Sequence, residues 1–359
     1  MNSVEQLLLE RELPSLLDGV STAEEFTDRQ EKIGRTLMER QFGVIPPKPD
    51  HMYVEVTSTD ENFAAGKVVL KNLKFTFEYD NKTFSFPCVS AIPKSEKKLP
   101  AFVHINFFDF VHGKYMPLEE ICDGGFAVFS FCYKDVTSDD GDFKNGCAKY
   151  LVKSRQKKTA PGKIAIWAWA AMRMMDYIET LPEIDPENVA VIGHSRLGKT
   201  ALLAGAFDKR FKYVISNDSG CCGAAIERGK IGERYQRIAE VFPYWFCPSF
   251  VKDATFGVEM PYDQHFLLAM SVPRHVIVGS AEEDLWADPT SEFLSLAAIN
   301  EAYALFGLPG LVHDGKVPSP DRVLGNGSSA YHIRRGTHYF SRRDWNAYMD
   351  IIKSWMNDN

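Results

Sequence analysis

After Pro100 the chain passes through six short, unbroken apolar stretches: AFVHINFF (101–108), FAVFSFCY (126–133), VAVIG (189–193), YVISND (213–218), HVIVGS (275–280) and YHIRR (331–335). An unbroken run, as opposed to an alternating one, marks a strand covered on both faces, the pattern of a parallel sheet enclosed by helices. The segments between them supply those helices: KIAIWAWAAMRMMDYIETL (163–181), TALLAGAFD (200–208), SEFLSLAAINEAYALFG (291–307) and RDWNAYMDIIKSWMN (343–357). Their Trp and Met residues read as core packing. The predicted fold class is α/β, with a mostly parallel central sheet and helices on both faces.

Upstream, the pattern differs. Residues 1–45 form a predicted helical arm, with LLLERELPSLLD and AEEFTDRQEKIGRTLMERQFG closed by the turn-rich VIPPKPD. Residues 46–359 form the main domain. Alternation over 51–95 predicts antiparallel strands, with Asp80-Asn81 between two aromatic runs as a hairpin turn. Residues 225–262, rich in Arg, Phe, Tyr and Pro, read as an irregular excursion over the sheet edge.

With 41 basic against 48 acidic residues and a net charge of -7, the chain repels nucleic acid and anionic membrane at long range. Its seven cysteines (88, 122, 132, 147, 221, 222 and 247) show neither C-x-x-C nor Cys/His metal spacing, so no disulfide framework, metal or other cofactor is expected. The N-terminus lacks a cationic leader and no 18-residue apolar run occurs, which predicts a cytoplasmic protein with no membrane partner.

The chemistry concentrates in VAVIGHSRLGKTAL (189–202), where an apolar strand runs into Gly193-His194-Ser195 and a helical segment opens at once. A strand that turns sharply into a helix at Gly-x-Ser is a nucleophile elbow, which lifts the serine Oγ above the sheet. The second glycine, Gly198, comes three residues after Ser195, where the commonest lipase form has two. Arg196 and Lys199 fall in the first helical turn, where cations gain nothing from the helix dipole and are instead placed to meet an anion.

An α/β-hydrolase three-layer sandwich orders its triad as Ser, acid, His, with the histidine after the last strand. His338 occupies that position, just before a helix that Ser341 and Asp344 can cap. His332, His104 and His275 fall within strands and read as structural. Two positions can supply the acid: Asp218, at the end of YVISND, and the cluster Glu282, Glu283, Asp284 and Asp288 after the next strand, of which Asp284 and Asp288 have the short reach needed.

These stretches, together with ISNDSGCCGAA, PYDQHFLLA, SAEEDLWADP and the terminal GTH, resemble the bacterial branch of the glucuronoyl esterases, carbohydrate esterase family 15, over roughly residues 95–345. The resemblance implies Ser195 as nucleophile, Arg196 as oxyanion stabiliser, Lys199 as a contact to the sugar acid and Trp286 as a tryptophan of the uronate pocket. It also implies a triad acid at Asp218 or after the next strand. The expectation is a serine carboxylesterase acting on small-molecule or oligosaccharide esters of 4-O-methyl-glucuronic acid. A sugar deacetylase of the same fold and a catalytically silent carbohydrate-binding protein are the alternatives.

Overall fold

The computed structural model describes residues 2–109, 113 and 115–357. Among them ten strands form one sheet: β1 (His51–Asn62), β2 (Val68–Tyr79), β3 (Lys82–Pro93), β4 (Leu99–Asn106), β5 (Ala127–Cys132), β6 (Ile184–His194), β7 (Tyr213–Asn217), β8 (His275–Ala281), β9 (Arg322–Leu324) and β10 (Ser329–Arg334). They lie in the order β1-β2-β3-β5-β4-β6-β7-β8-β10-β9. The six apolar runs are the parallel set β5-β4-β6-β7-β8-β10, and β1 to β3 join it antiparallel at one edge. At the hairpin, Tyr79 pairs with Lys82, and Asp80 and Asn81 take φ of 52° and 57°, the left-handed pair a two-residue turn requires.

The helices include α1 (Val4–Glu10), α2 (Ala23–Leu37), α3 (Lys163–Ile178), α4 (Arg196–Phe207), α5 (Pro289–Ala298) and α6 (Arg342–Asn357). Successive strand residues divide between two buried layers. Phe102, Val128, Ile192, Ile215 and Ile277 pack with Trp345, Tyr348 and Ile352 of α6 on one face. Val103, Phe129, Val191, Val214 and Val278 pack with Trp167 of α3, Leu202 of α4 and Phe293 of α5 on the other. Three layers follow directly from the strand period of two.

The arm is no separate unit. Phe26, Ile33, Leu37 and Phe42 are buried in the same core as α3 and α4, and the buried Gln30 donates to the carbonyls of Ala269 and Val272 at 2.8 and 2.7 Å. The run SEFLSLAAINEAYALFG breaks near Ile299 because the Asn300 side chain turns to the backbone of Leu311, accepting from its N–H at 2.6 Å and donating to its carbonyl at 3.0 Å. Among the described residues, no helix is long and apolar enough to cross a membrane.

Candidate active site

Ser195 joins β6 to α4 with φ 58° and ψ −127°, a strained conformation for a residue with a side chain. Its neighbours make the turn possible. A Cβ on Gly193 would stand 2.1 Å from the Leu197 carbonyl oxygen, so only glycine fits beneath the elbow. A Cβ on Gly198 would meet the side chains of Ser219 and Ser216 at 3.0 and 3.1 Å, which accounts for the glycine three residues past the serine: there α4 crosses the turn after β7. The Ser195 N–H is bound to the Asn217 carbonyl at 2.8 Å.

His338 follows β10 and stands over the elbow, its ring centroid 4.5 Å from that of His194. His194 is buried, and its Nδ1 lies 2.8 Å from Asn217 Oδ1. Burial, reinforced by His338, pushes its pKa down to about 3, so it presents a neutral ring. His338 Nδ1 lies 2.6 Å from Asp284 Oδ2; its side chain is 43% exposed, and that of Asp284 only 4%. Burial alone would raise the Asp284 pKa, but the hydrogen bond and charge of His338 and the Ala287 N–H hold it below the ordinary carboxylate value.

The other candidate acids are engaged elsewhere. Asp218, at φ 45°, accepts from the Ala281 N–H at 2.6 Å and lies 3.5 Å from Arg334 Nη2. Burial and the neighbouring Glu292 push its carboxyl well above the usual range, against the pull of Arg334. It is nevertheless close, since one ligand atom each from Asp218, Asp284 and His338 fall within 4.8 Å of one another. That spacing could hold a cation, but His338 is already joined to Asp284. Asp288 corrects the sequence expectation: it caps α5, accepting from the Ser291 N–H at 3.2 Å and hydroxyl at 2.6 Å, and takes the Ile231 N–H at 2.9 Å. Glu282 and Glu283 are exposed, with their N–H groups bound to the carbonyls of Arg334 and Gly336.

The structural histidines are where the strands put them. His332 Nε2 meets Asp344 Oδ1 at 3.1 Å, and Asp344 and Ser341 cap α6 reciprocally. His104 lies beside Met116 Sδ, and His275 Nδ1 beside the Ser328 carbonyl.

A model of the fungal glucuronyl esterase family matches residues 75–307. Carbohydrate esterase MZ0003, from an unknown prokaryotic organism, is 32% identical over 95% of this chain and 88% of its own length. The chain belongs to the glucuronoyl esterases of carbohydrate esterase family 15. Its relatives include the 4-O-methyl-glucuronoyl methylesterase of Neurospora crassa, 26% identical over 80% of this chain and 70% of that one. Among solved structures, a glucuronoyl esterase from Solibacter usitatus superposes with a TM-score of 0.88 at 30% identity, covering 95% of this chain and 97% of that one. A promiscuous family 15 esterase from a marine bacterial metagenome gives 0.84 at 30% identity, covering 96% and 98%. The chain is accordingly a carboxylic ester hydrolase of α/β-hydrolase fold.

In this glucuronoyl esterase the two elbow cations are held differently. The Arg196 guanidinium lies 4.7 Å over the Trp245 ring and pairs through Nη1 with Asp139. Lys199 is buried, and its Nζ donates to the Ser219 carbonyl at 2.5 Å. On the far side of that same peptide, the Gly220 N–H donates to Glu292 Oε1 at 2.8 Å, while Ser280 Oγ donates to Oε2 at 2.6 Å. One peptide group thus spans a cation and a buried carboxyl, which burial pushes up to about 7. Trp286 is half exposed beside exposed Leu285 and Ile231. The loop of Ile231 is pressed against that of Trp286, since a Cβ on Gly232 would stand 2.4 Å from the carbonyl oxygens of Leu285 and Trp286.

Sequence reasoning missed Asp139, Trp245 and Glu292. Asp139 sits in the polar loop TSDDGDFKNG and Trp245 in the irregular excursion. Glu292 carried one signal, a lone acid at the start of an otherwise apolar helical face.

Proposed function

We propose that this glucuronoyl esterase hydrolyses alkyl and aryl esters of 4-O-methyl-glucuronic acid through an acyl-enzyme, with Ser195, His338 and Asp284 as its triad. The observation that carries the assignment is the His338–Asp284 pair at 2.6 Å, with the His338 ring packed beside the histidine that immediately precedes Ser195.

Ser195 Oγ attacks the ester carbonyl as its proton passes to His338 Nε2. Asp284, on the opposite nitrogen, fixes the tautomer and stabilises the imidazolium. The carbonyl oxygen becomes an oxyanion, which the Arg196 guanidinium meets, and collapse expels the alcohol with the proton returned from Nε2. Water then repeats the sequence on the acyl-serine and releases the uronic acid. Lys199 and Trp286 flank the sugar acid. Asp218 supports the turn that carries Asp284 by holding the Ala281 N–H. The relatives named as 4-O-methyl-glucuronoyl methylesterases support the choice of acyl group.

The deciding experiment compares the methyl ester of 4-O-methyl-glucuronic acid with an acetylated xylo-oligosaccharide. Preference for the uronate ester, abolished by Ser195→Ala, is the expected result. Preference for the acetyl ester would reverse the assignment of acyl group, and failure of a serine-directed phosphonate to label the protein would remove the nucleophile.

A further inference from the structure

The Asp139 carboxylate is 7% exposed and receives three donors. Arg196 Nη1 and the Tyr133 hydroxyl, the latter at 2.9 Å, both meet Oδ2, and the Trp245 indole N–H reaches Oδ1 at 2.7 Å. Trp245 is in turn stacked on Phe242, centroids 3.9 Å apart and planes 2° from parallel. The guanidinium is therefore fixed twice, by the aromatic face beneath it and by the carboxylate at one arm. The loop bearing Asp139 is held from behind by the buried Lys163, whose Nζ donates to Thr137 Oγ1 at 2.7 Å and to the Asp142 carbonyl at 2.6 Å. Among the described residues no protein acceptor bonds Arg196 Nη2, and the side chain is 27% exposed.

We propose that Asp139 is the positioning residue for Arg196, clamping one arm of the guanidinium over Trp245 so that the other stands ready for the oxyanion that forms beside Ser195. The proposal rests on the assignment of Arg196 as oxyanion donor. An unclamped arginine has a rotamer-rich stem to immobilise in every turnover, whereas donors ordered during folding need no reorganisation as the charge develops.

The test is a double-mutant cycle on the methyl ester of 4-O-methyl-glucuronic acid with Asp139→Asn, Arg196→Ala and the pair. Asparagine keeps the size, its amide oxygen can still accept from the Trp245 indole and its NH2 can donate to the Tyr133 hydroxyl, but it loses the charge that binds the guanidinium. Asp139→Asn is expected to lower kcat about 10- to 100-fold with KM within about threefold, and Arg196→Ala to lower kcat about 100- to 1,000-fold, the range for loss of an oxyanion donor. The double variant should be no slower than Arg196→Ala, because a residue that acts through another has nothing left to do once its partner is gone. Added guanidinium ion should restore part of the activity of Arg196→Ala but not of the double variant. The proposal is overturned if Asp139→Asn keeps kcat within twofold while Arg196→Ala does not, or if the two losses multiply. Full kcat in Arg196→Ala would instead remove the oxyanion assignment itself.

Discussion

Replacing Asp284 by Asn tests the assignment of the acid most sharply, because two carboxylates lie within reach of His338 and only one is hydrogen-bonded to it. The substitution keeps the shape, and Oδ1 can still accept the Ala287 N–H, so the fold has little reason to change. What is lost is the charge facing the imidazolium of the transition state. With charge centres about 4 Å apart and an effective dielectric near 20, that attraction is worth about 4 kcal/mol, or roughly a thousandfold in rate. An amide N–H turned toward Nδ1 would also favour the wrong tautomer, bringing the loss toward about 10^4-fold, as in the serine-protease template. Asp218 is a poor substitute, since its oxygens serve the Ala281 N–H and Arg334 and burial favours its protonated form. The measurement is kcat on the methyl glucuronate ester for Asp284→Asn and Asp218→Asn, with thermal melts as controls. Asp284→Asn should fall by about 10^3 to 10^4, and Asp218→Asn by no more than about tenfold. A near-normal Asp284→Asn beside a collapsed Asp218→Asn would transfer the role to Asp218.

Ser195→Ala and His338→Ala should each cost several orders of magnitude in kcat, with the double variant little worse, and multiplicative losses in single-turnover assays would dissolve the triad. Lys199→Ala should lower kcat/KM for the uronate ester about 10- to 150-fold and spare p-nitrophenyl acetate; equal losses would confine Lys199 to holding the Ser219 carbonyl. Glu292, raised from 4.5 to about 7, keeps its proton in the folded state after the unfolded chain has lost it. Its contribution is therefore present below about pH 4.5 and fades as pH rises through 7, by up to about 3 kcal/mol. Glu292→Gln should flatten that decline in urea unfolding between pH 5 and 8, and curves that stay parallel would contradict it. All seven cysteines are free and buried, so each should react with a thiol reagent only after denaturation, without reductant; a count below seven would reveal a disulfide.

The sheet was legible because burial on both faces writes itself as unbroken apolar runs, and the elbow because Gly193, Ser195 and the following helix have no cheaper joint explanation. His338 followed from its place after the last strand. The acid did not, since Asp284 and Asp288 lie four residues apart in one turn with equal reach. Only the three-dimensional course of that turn sends one toward His338 and the other into the cap of α5. Asp139 and Trp245 were illegible for a different reason. They lie 106 residues apart and meet only in the folded chain, where both also contact Arg196, so nothing local distinguishes Asp139 from the solvated acids around it.

Asp288, turned into the cap of α5, has a consequence for the surface above it. By gripping the Ile231 N–H with one oxygen while capping α5, it fastens two loops into a single piece of backbone. The side chains at 231, 285 and 286 project from that piece into solvent. Exchanges at exposed positions of this kind usually stay within about 0.5 kcal/mol of neutral. With Trp286 proposed to flank the sugar acid, these three adjoining surface positions are ones where side chains can be exchanged at little cost to the buried framework beneath them.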